Sequence, residues 1–215
     1  MSAQAAAARV HGLYAITPDI ADTADLVTRV DAAIAGGVRL VQYRNKCAAP
    51  ALKLEQARAL KAMCASRAAL IVNDDVDIAL AVDADGVHLG ADDGSITAAR
   101  DRLGSAKLIG VSCYDSIERA HEARRAGADH VAFGSFYASP TKPGAVHAPV
   151  SLLERAKRET GLPVVAIGGI TLDNGAALIR AGADALAVIS ALFGVADIEA
   201  CAARFTRLFE IPNET

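Results

Sequence analysis

One short phrase recurs along the chain, and it limits the available folds more than any other feature. Ala35-Gly36-Gly37-Val38-Arg39-Leu40-Val41, Ala126-Gly127-Ala128-Asp129-His130-Val131-Ala132-Phe133 and Ala181-Gly182-Ala183-Asp184-Ala185-Leu186-Ala187-Val188 are variants of it. A weaker copy is Val82-Asp83-Ala84-Asp85-Gly86-Val87-His88-Leu89. In each copy a helical stretch ends, a Gly or small residue turns the chain, and a buried apolar run begins. Neighbouring copies lie roughly 45 to 55 residues apart, room for two strand–helix units each. Four copies therefore predict about eight units.

The residues between the copies agree. Short Val-, Ile- and Leu-rich runs predict strands over 12–16, 40–43, 69–72, 87–89, 108–112, 130–133, 164–167 and 185–189. Helical spacing predicts helices over 23–35, 50–66, 76–81, 96–103, 117–126, 150–160 and 173–181, and a last one ending near 208. No linker interrupts the alternation. The chain reads as one α/β domain over 1–215, a single (β/α)8 TIM barrel, with residues 1–10 as a loose tail.

Composition narrows the function classes. Hydrophobic residues make up 53% and charged residues 22%, which argues for a globular fold over a disordered one. The net charge of -3 argues against a broad nucleic-acid face. No run of about eighteen uninterrupted apolar residues exists, so no membrane span is expected. Residues 1–9 lack the charged start and apolar core of a signal peptide. Cys47, Cys64, Cys113 and Cys201 are far apart and form no CxxC pair, which fits reduced thiols in a cytoplasmic protein. Oligomeric state is not legible, and a homo-oligomer is left open.

Chemistry concentrates where strands end. Strand 3 runs into Asn73-Asp74-Asp75, and strand 4 into Gly90-Ala91-Asp92-Asp93. In parallel α/β folds ligands sit at the carboxyl ends of the strands. Two successive strands ending in acids bring Asp74 and Asp93 toward one point. Hard oxygen ligands there suit a Mg2+ ion shared with substrate phosphates. Asp is also a favoured helix N-cap, so any one of these acids has a plain structural use. The pair on consecutive strands is what argues for chemistry.

Strand 2 ends in Gln42-Tyr43-Arg44-Asn45-Lys46. Alternation points Gln42, Arg44 and Lys46 the same way, an amide and two cations suited to a phosphate or diphosphate. A solvated basic loop would carry the same spacing. Strand 7 ends in Ile167-Gly168-Gly169-Ile170 and strand 8 in Ile189-Ser190. Glycines there admit an anion to backbone N–H groups, and this is the usual phosphate site of such barrels. Glycines kept for tight turns are the competing reading. The long irregular segment 134–149 offers Ser139, Thr141 and Lys142 beside prolines, a semi-rigid anion clamp. Ser112 adds a hydroxyl to the same mouth. The histidines carry little: His88 reads as packed in its strand, His121 as exposed on its helix, and His11, His130 and His147 as lacking an obvious partner.

Arg44, Lys46 and Lys142 set three positive charges beside the two negative charges of Asp74 and Asp93. Two acids next to phosphates are useful only with a divalent metal. One metal-free and one metal-assisted phosphate site facing each other suggest group transfer with diphosphate leaving.

From Gly12-Leu13-Tyr14 to Ile189-Ser190 the chain resembles the thiamine phosphate synthase family. The matching blocks are Gln42-Tyr43-Arg44-Asn45-Lys46, Val72-Asn73-Asp74-Asp75, Asp85-Gly86-Val87-His88-Leu89-Gly90, Gly110-Val111-Ser112, Ser139-Pro140-Thr141-Lys142 and Ile167-Gly168-Gly169-Ile170-Thr171. The resemblance implies a Mg2+-dependent transferase that joins hydroxymethylpyrimidine diphosphate to a thiazole phosphate, giving thiamine phosphate and diphosphate. It implies that Gln42, Arg44, Lys46, Asn73, Ser112 and Lys142 hold the pyrimidine diphosphate, and that Tyr43, Asn45 and Pro140, in the same motifs, also bind substrate. Asp74 and Asp93 would bind Mg2+, and Ser139, Thr141, Gly169, Ile189 and Ser190 the thiazole phosphate. Arg44, Lys46, Ser112 and Lys142 would carry the catalysis, through ionisation to a pyrimidine methyl cation that the thiazole nitrogen captures. Ala91 and Asp92 stand where the family usually has Gln and Glu, Ser139 where Thr is common, and Gly134-Ser135-Phe136-Tyr137 departs from the usual loop.

Three other readings compete. A thiazole tautomerase would share the barrel and the thiazole phosphate site without needing Arg44, Lys46, Asn73, Asp74 and Asp93 together. A phosphosugar isomerase would need an acid/base pair near the substrate carbon. A non-catalytic barrel binding a phosphorylated metabolite would bind without turnover.

Overall fold

The computed structural model describes residues 9–91, 93–138 and 148–210. Eight parallel strands close into a barrel in sequence order: β1 (Gly12–Ile16), β2 (Leu40–Tyr43), β3 (Ala69–Asn73), β4 (Gly86–Leu89), β5 (Leu108–Tyr114), β6 (His130–Phe133), β7 (Val164–Ile167) and β8 (Ala185–Val188). The helices are α1 (Thr23–Ala35), α2 (Pro50–Cys64), α3 (Val76–Ala81), α4 (Ile96–Leu103), α5 (Ile117–Arg125), α6 (Ser151–Thr160), α7 (Gly175–Arg180), α8 (Ser190–Phe193) and α9 (Ile198–Arg207). The expected barrel is therefore the one observed.

Alternation along each strand separates two apolar layers. Leu13, Val41, Leu70, Val87, Ile109, Val131 and Leu186 face outward and pack against Leu26, Val30, Leu60, Leu103, Leu153 and Leu178 of the helices. Tyr14, Ile16, Leu40, Ile71, Leu108, Ala132 and Val165 fill the lumen. The final helix closes the ring on the first, where Thr206 Oγ1 donates to the Gly36 carbonyl at 3.3 Å.

The repeated phrase has a physical job at the amino ends of the strands. Asp85 Oδ2 accepts from the Leu70 N–H at 3.0 Å and from Lys61 at 2.9 Å. Asp129 Oδ2 accepts from the Ile109 N–H at 2.8 Å and from Arg100. Asp184 Oδ2 accepts from the Val164 N–H at 2.9 Å, and its Oδ1 from Lys157 at 2.7 Å. Each Asp thus ties the preceding strand to the helix before that strand, and satisfies a buried backbone donor. The first copy carries Arg39 in that place and bonds its own turn instead, at the Val38 and Ile34 carbonyls. Gly37, Gly127 and Gly182 take positive φ in this turn, and Asp83 does the same in the weaker copy at 51°.

Several boundaries differ from expectation. Helix α2 stops at Cys64, because Ala65 turns with φ 34°. Strand β5 runs on to Tyr114, with a register shift against β6 between Ser112 and Tyr114. Ser190 opens the four-residue α8, too short to show a hydrophobic period. Val10 is fully buried against the lumen cluster, and Arg9 Nη2 donates to Asp85 Oδ1 at 3.3 Å, so packing reaches into the segment read as a tail. His121, expected to be exposed, is half-buried between α5 and α6, its Nε2 3.1 Å from Glu159. No helix of the described residues is long and apolar enough to cross a membrane.

Candidate active site

A cavity of about 670 Å³ opens at the carboxyl ends of the strands. Gln42, Arg44 and Lys46 line it together, as alternation predicts. Gln42 is buried and donates to the Tyr14 hydroxyl at 2.9 Å. Arg44 Nη1 donates to Asp19 at 3.2 Å, and the Lys46 N–H to the same carboxylate at 2.7 Å. The buried Thr17 hydroxyl accepts from the Arg44 N–H at 2.9 Å and donates to the Arg44 carbonyl at 2.8 Å. The loop after β1 therefore holds the Arg44 guanidinium and fixes the backbone of the loop after β2 at Arg44 and Lys46. Tyr43 and Asn45 face the other way. Tyr43 donates to Gln56 Oε1 at 2.9 Å, and Asn45 Nδ2 to the same oxygen at 3.0 Å, so these side chains fasten the segment to α2 and do not line the cavity.

The Asn73-Asp74-Asp75 run divides its work. Asp75 is the N-cap of α3, accepting from the Ile78 N–H at 2.9 Å. Asn73 and Asp74 line the cavity. Asp74 sits at φ 63°, a left-handed conformation that turns its carboxylate toward the mouth side of Lys46, 3.4 Å away. Asp93 also lines the cavity and accepts from the Gly90 N–H at 2.8 Å. The Asp74 carboxyl is held above its usual range, first by burial, then by a side-chain hydrogen bond to Asp93 and its charge, with Lys46 opposing. Two carboxylates this close, Asp74 partly buried beside Lys46 and Asp93 exposed at the mouth, make a donor set that a divalent cation fits. Among the described residues no group of three His, Cys, Asp or Glu side chains gathers at one point. A cation here would have two protein carboxylates and open positions for ligand oxygens and water, which is how Mg2+ is usually held.

Ser112 lines the cavity from β5, with Oγ 2.9 Å from His88 Nε2. Burial pulls the His88 imidazolium down to about 4, against the pull of Asp93, and that of His130 beneath it to about 3. Both rings are therefore neutral near pH 7.

Gly168, Gly169, Ile189 and Ser190 form the opposite wall. Gly168 and Gly169 have φ 100° and 65°. A Cβ on Gly169 would stand 2.5 Å from the Ala138 carbonyl oxygen, and one on Gly168 2.2 Å from Ser135 Oγ. The glycines thus serve the tight turn and let the loop after β6 close against it. Asn174 braces the turn, accepting from the Thr171 N–H at 2.8 Å and donating to the Gly169 carbonyl at 3.0 Å. Ser139, Pro140, Thr141, Lys142, Asp92 and His147 lie outside the described residues.

Tyr14, His88, Tyr114, Ser135 and Thr171 also line the cavity but are not among the residues the sequence singled out. For Tyr14 and His88 the missing signal is the strand period, which places both on lumen-facing positions.

The comparisons with known proteins agree with one another. The family described as Thiamine monophosphate synthase matches residues 13–192. A thiamine-phosphate synthase of Azoarcus sp. is 55% identical over 202 residues, covering 94% of this chain and 98% of the relative. That of Thiobacillus denitrificans is 56% identical over 204 residues, covering 94% and 97%. The solved thiamine phosphate pyrophosphorylase of Pyrococcus furiosus superposes with a TM-score of 0.82 at 35% identity, covering 93% and 95% of the two chains.

Proposed function

The chain belongs to the thiamine monophosphate synthase family and is a transferase of that class acting in thiamine biosynthesis, and we propose how its cavity divides the work. The pyrimidine diphosphate lies on the side of β2 to β5. Gln42, Arg44, Lys46, Asn73 and Ser112 hold it, joined by Lys142. The thiazole phosphate lies on the side of β7 and β8, held by Gly169, Ile189 and Ser190 together with Ser139, Pro140 and Thr141. Asp74 and Asp93 hold Mg2+.

The observation that carries this reading is the closeness of the two carboxylates beside Lys46. An acid pair facing a diphosphate repels it. The same pair with a divalent ion attracts it. Bound Mg2+ supplies neutralisation of the charge that builds on the departing diphosphate.

The chain's own residues do the rest. Arg44, its guanidinium held by Asp19 and its backbone by Thr17, orients the diphosphate with little reorganisation cost at the moment of reaction, and Lys46 adds a second cation beside it. Gln42, fixed by Tyr14, keeps an amide at the cavity floor. The bond from the pyrimidine methylene carbon to the diphosphate oxygen breaks, its electron pair leaving with diphosphate. The thiazole nitrogen lone pair then forms the new C–N bond. No protein nucleophile is needed, so positioning and electrostatic stabilisation supply the rate. The cytoplasm is the proposed place of work, in keeping with four free thiols.

The test is to incubate the purified protein with both phosphorylated precursors, with and without Mg2+, and to assay thiamine phosphate and diphosphate. Formation of both in equal amounts, dependent on Mg2+, is the expected result. Equal turnover in the presence of a chelator would overturn the metal assignment.

A further inference from the structure

Beneath the cavity lies a buried polar core that the reaction as described does not use. His130 is fully buried, and neither of its ring nitrogens has a hydrogen-bond partner. It does not line the cavity. His88, its neighbour across β5, is 7% exposed and bonds Ser112 through Nε2, while its Nδ1 is buried and also unpartnered. The ring centroids are 5.7 Å apart.

The residue between the two rings is Gly110, paired in register with His88 on one side and His130 on the other. A Cβ on Gly110 would stand 2.1 Å from His130 Nε2 and 2.5 Å from His88 Nδ1. The two nitrogens therefore border the same side-chain-sized space, with no hydrogen bond between them. Neutral imidazole carries one N–H and one acceptor, and which nitrogen is protonated is set by what the other bonds. A buried N–H left unpaired is costly, and each ring is the partner the other lacks. Nothing engages His130 Nδ1, so its proton takes Nε2, the tautomer that a neutral histidine side chain intrinsically favours.

We propose that His130 and His88 are positioning residues that set the direction of the Ser112 hydroxyl: a small rotation of the His130 ring brings its Nε2–H to His88 Nδ1, His88 Nε2–H donates to Ser112 Oγ, and the Ser112 proton is turned into the cavity. Ser112 then presents a donor, and the ligand atom beside it is an acceptor, such as a heteroaromatic ring nitrogen or a diphosphate oxygen. Gly110 is the residue that lets the two rings meet. This inference rests on the reading that the pyrimidine diphosphate occupies this side of the mouth.

Nitrogen chemical shifts of the wild-type histidine rings near neutral pH test it directly, with assignments from single substitutions. Both His88 and His130 are expected to be neutral with the proton on Nε2. A proton on His88 Nδ1 would overturn the proposal, because Ser112 would then donate back to the ring and offer the cavity only lone pairs. His130→Phe keeps an aromatic ring beside Tyr14 and removes the donor. It is expected to leave His88 as a mixture of tautomers and to raise KM for the pyrimidine diphosphate about tenfold, the scale of one misdirected hydrogen bond. KM for the thiazole phosphate should stay within about twofold, well below that scale. A merely structural role for His130 would lower the active fraction and leave both KM values unmoved, which would also overturn the proposal. If His130→Phe fails to fold, the wild-type shifts still decide. Should Ser112→Ala leave KM for the pyrimidine diphosphate unchanged, the assigned side of the mouth is wrong, while the nitrogen shifts continue to judge the histidine pair.

Discussion

Lys46 Nζ stands 3.4 Å from Asp74 Oδ2, and on its other side Asp74 meets Asp93. One cation cannot neutralise two carboxylates. The arrangement is balanced when a divalent ion joins it and a diphosphate brings the opposing charge. Asp74→Asn separates this role from folding. Asn tolerates the left-handed φ of 63° as Asp does, so the backbone is spared. The expected result is a fall in kcat of about 10²- to 10³-fold, the scale of one contact to developing charge, with little change in Tm. A variant with near-normal turnover and unchanged Mg2+ dependence would refute the assignment.

The same pair predicts how Mg2+ and pH interact. The Asp74 carboxyl lies above its usual range, first through burial and then through Asp93. A raised carboxyl favours the protonated native state. Without metal, its contribution to stability is full below the ordinary carboxylate value of about 4 and is lost as pH rises through the raised value. A bound cation takes the proton's place. The Mg2+-induced rise in Tm should therefore be small at acid pH and grow toward neutral pH, and be lost in Asp74→Asn. Thermal melts with and without Mg2+ across that range would show it. A shift independent of pH would count against the site.

His88 and His130 give the opposite sign. Burial lowers them from 6.5 to about 4 and about 3. Between those values and 6.5 the unfolded chain binds protons that the native chain refuses. Their contribution is complete above 6.5 and is lost as pH falls toward the native values. Each ring, taken alone, is worth on the order of a few kcal/mol across that window. Urea unfolding followed from pH 7 to 4.5 should show a steep loss of stability. His130→Phe should flatten it.

The barrel was legible because its signals are local and repeated. The phrase ending in Asp85, Asp129 and Asp184 marks the start of alternate strands, and the period of two sorts lumen from helix face. The site was legible where alternation rules, as at Gln42, Arg44 and Lys46. It was less so where one carboxylate must be told from its neighbour, since Asp75 caps a helix and Asp74 faces the cavity. Tyr43 and Asn45 entered through their motif, yet alternation turns them to Gln56 on α2. The His88–His130 contact was invisible, because it joins strands β4 and β6 across Gly110 and leaves no spacing to read.

The repeated Asp also allows a graded stability test. Asp129 and Arg100 side chains are 10% and 20% exposed, whereas Lys157, the partner of Asp184, is 52% exposed. Asp129→Asn leaves a largely buried guanidinium short of its counter-charge, at a cost of about 2–3 kcal/mol and a Tm lower by roughly 5–10 °C. Asp184→Asn in the same position of the next copy should cost under about 1 kcal/mol, because its pair is solvent-screened. Equal losses in the two variants would mean that the shared bond to the strand N–H, not the ion pair, carries the effect.

Gly169→Ala tests the division of the mouth into two halves. Gly169 has φ 65°, where an L side chain costs about 1 kcal/mol or more. Its new methyl would also stand 2.5 Å from the Ala138 carbonyl and 2.6 Å from that of Tyr137, both backbone atoms that cannot rotate away. The turn after β7 and the loop after β6 must then separate, widening the wall formed with Ile189 and Ser190. None of this touches Arg44, Lys46, Asp74 or Asp93, which lie across the cavity on β2 to β4 and the loops that follow them. The expected outcome is a rise in KM for the thiazole phosphate of about tenfold or more, equivalent to the loss of one or two hydrogen bonds to an anion. KM for the pyrimidine diphosphate and its Mg2+ dependence should hold near their wild-type values. Steady-state kinetics with each substrate varied in turn would separate the two. An equal rise in both constants would mean that the halves are not independent, and that the turn at Gly169 shapes the whole cavity rather than one phosphate site.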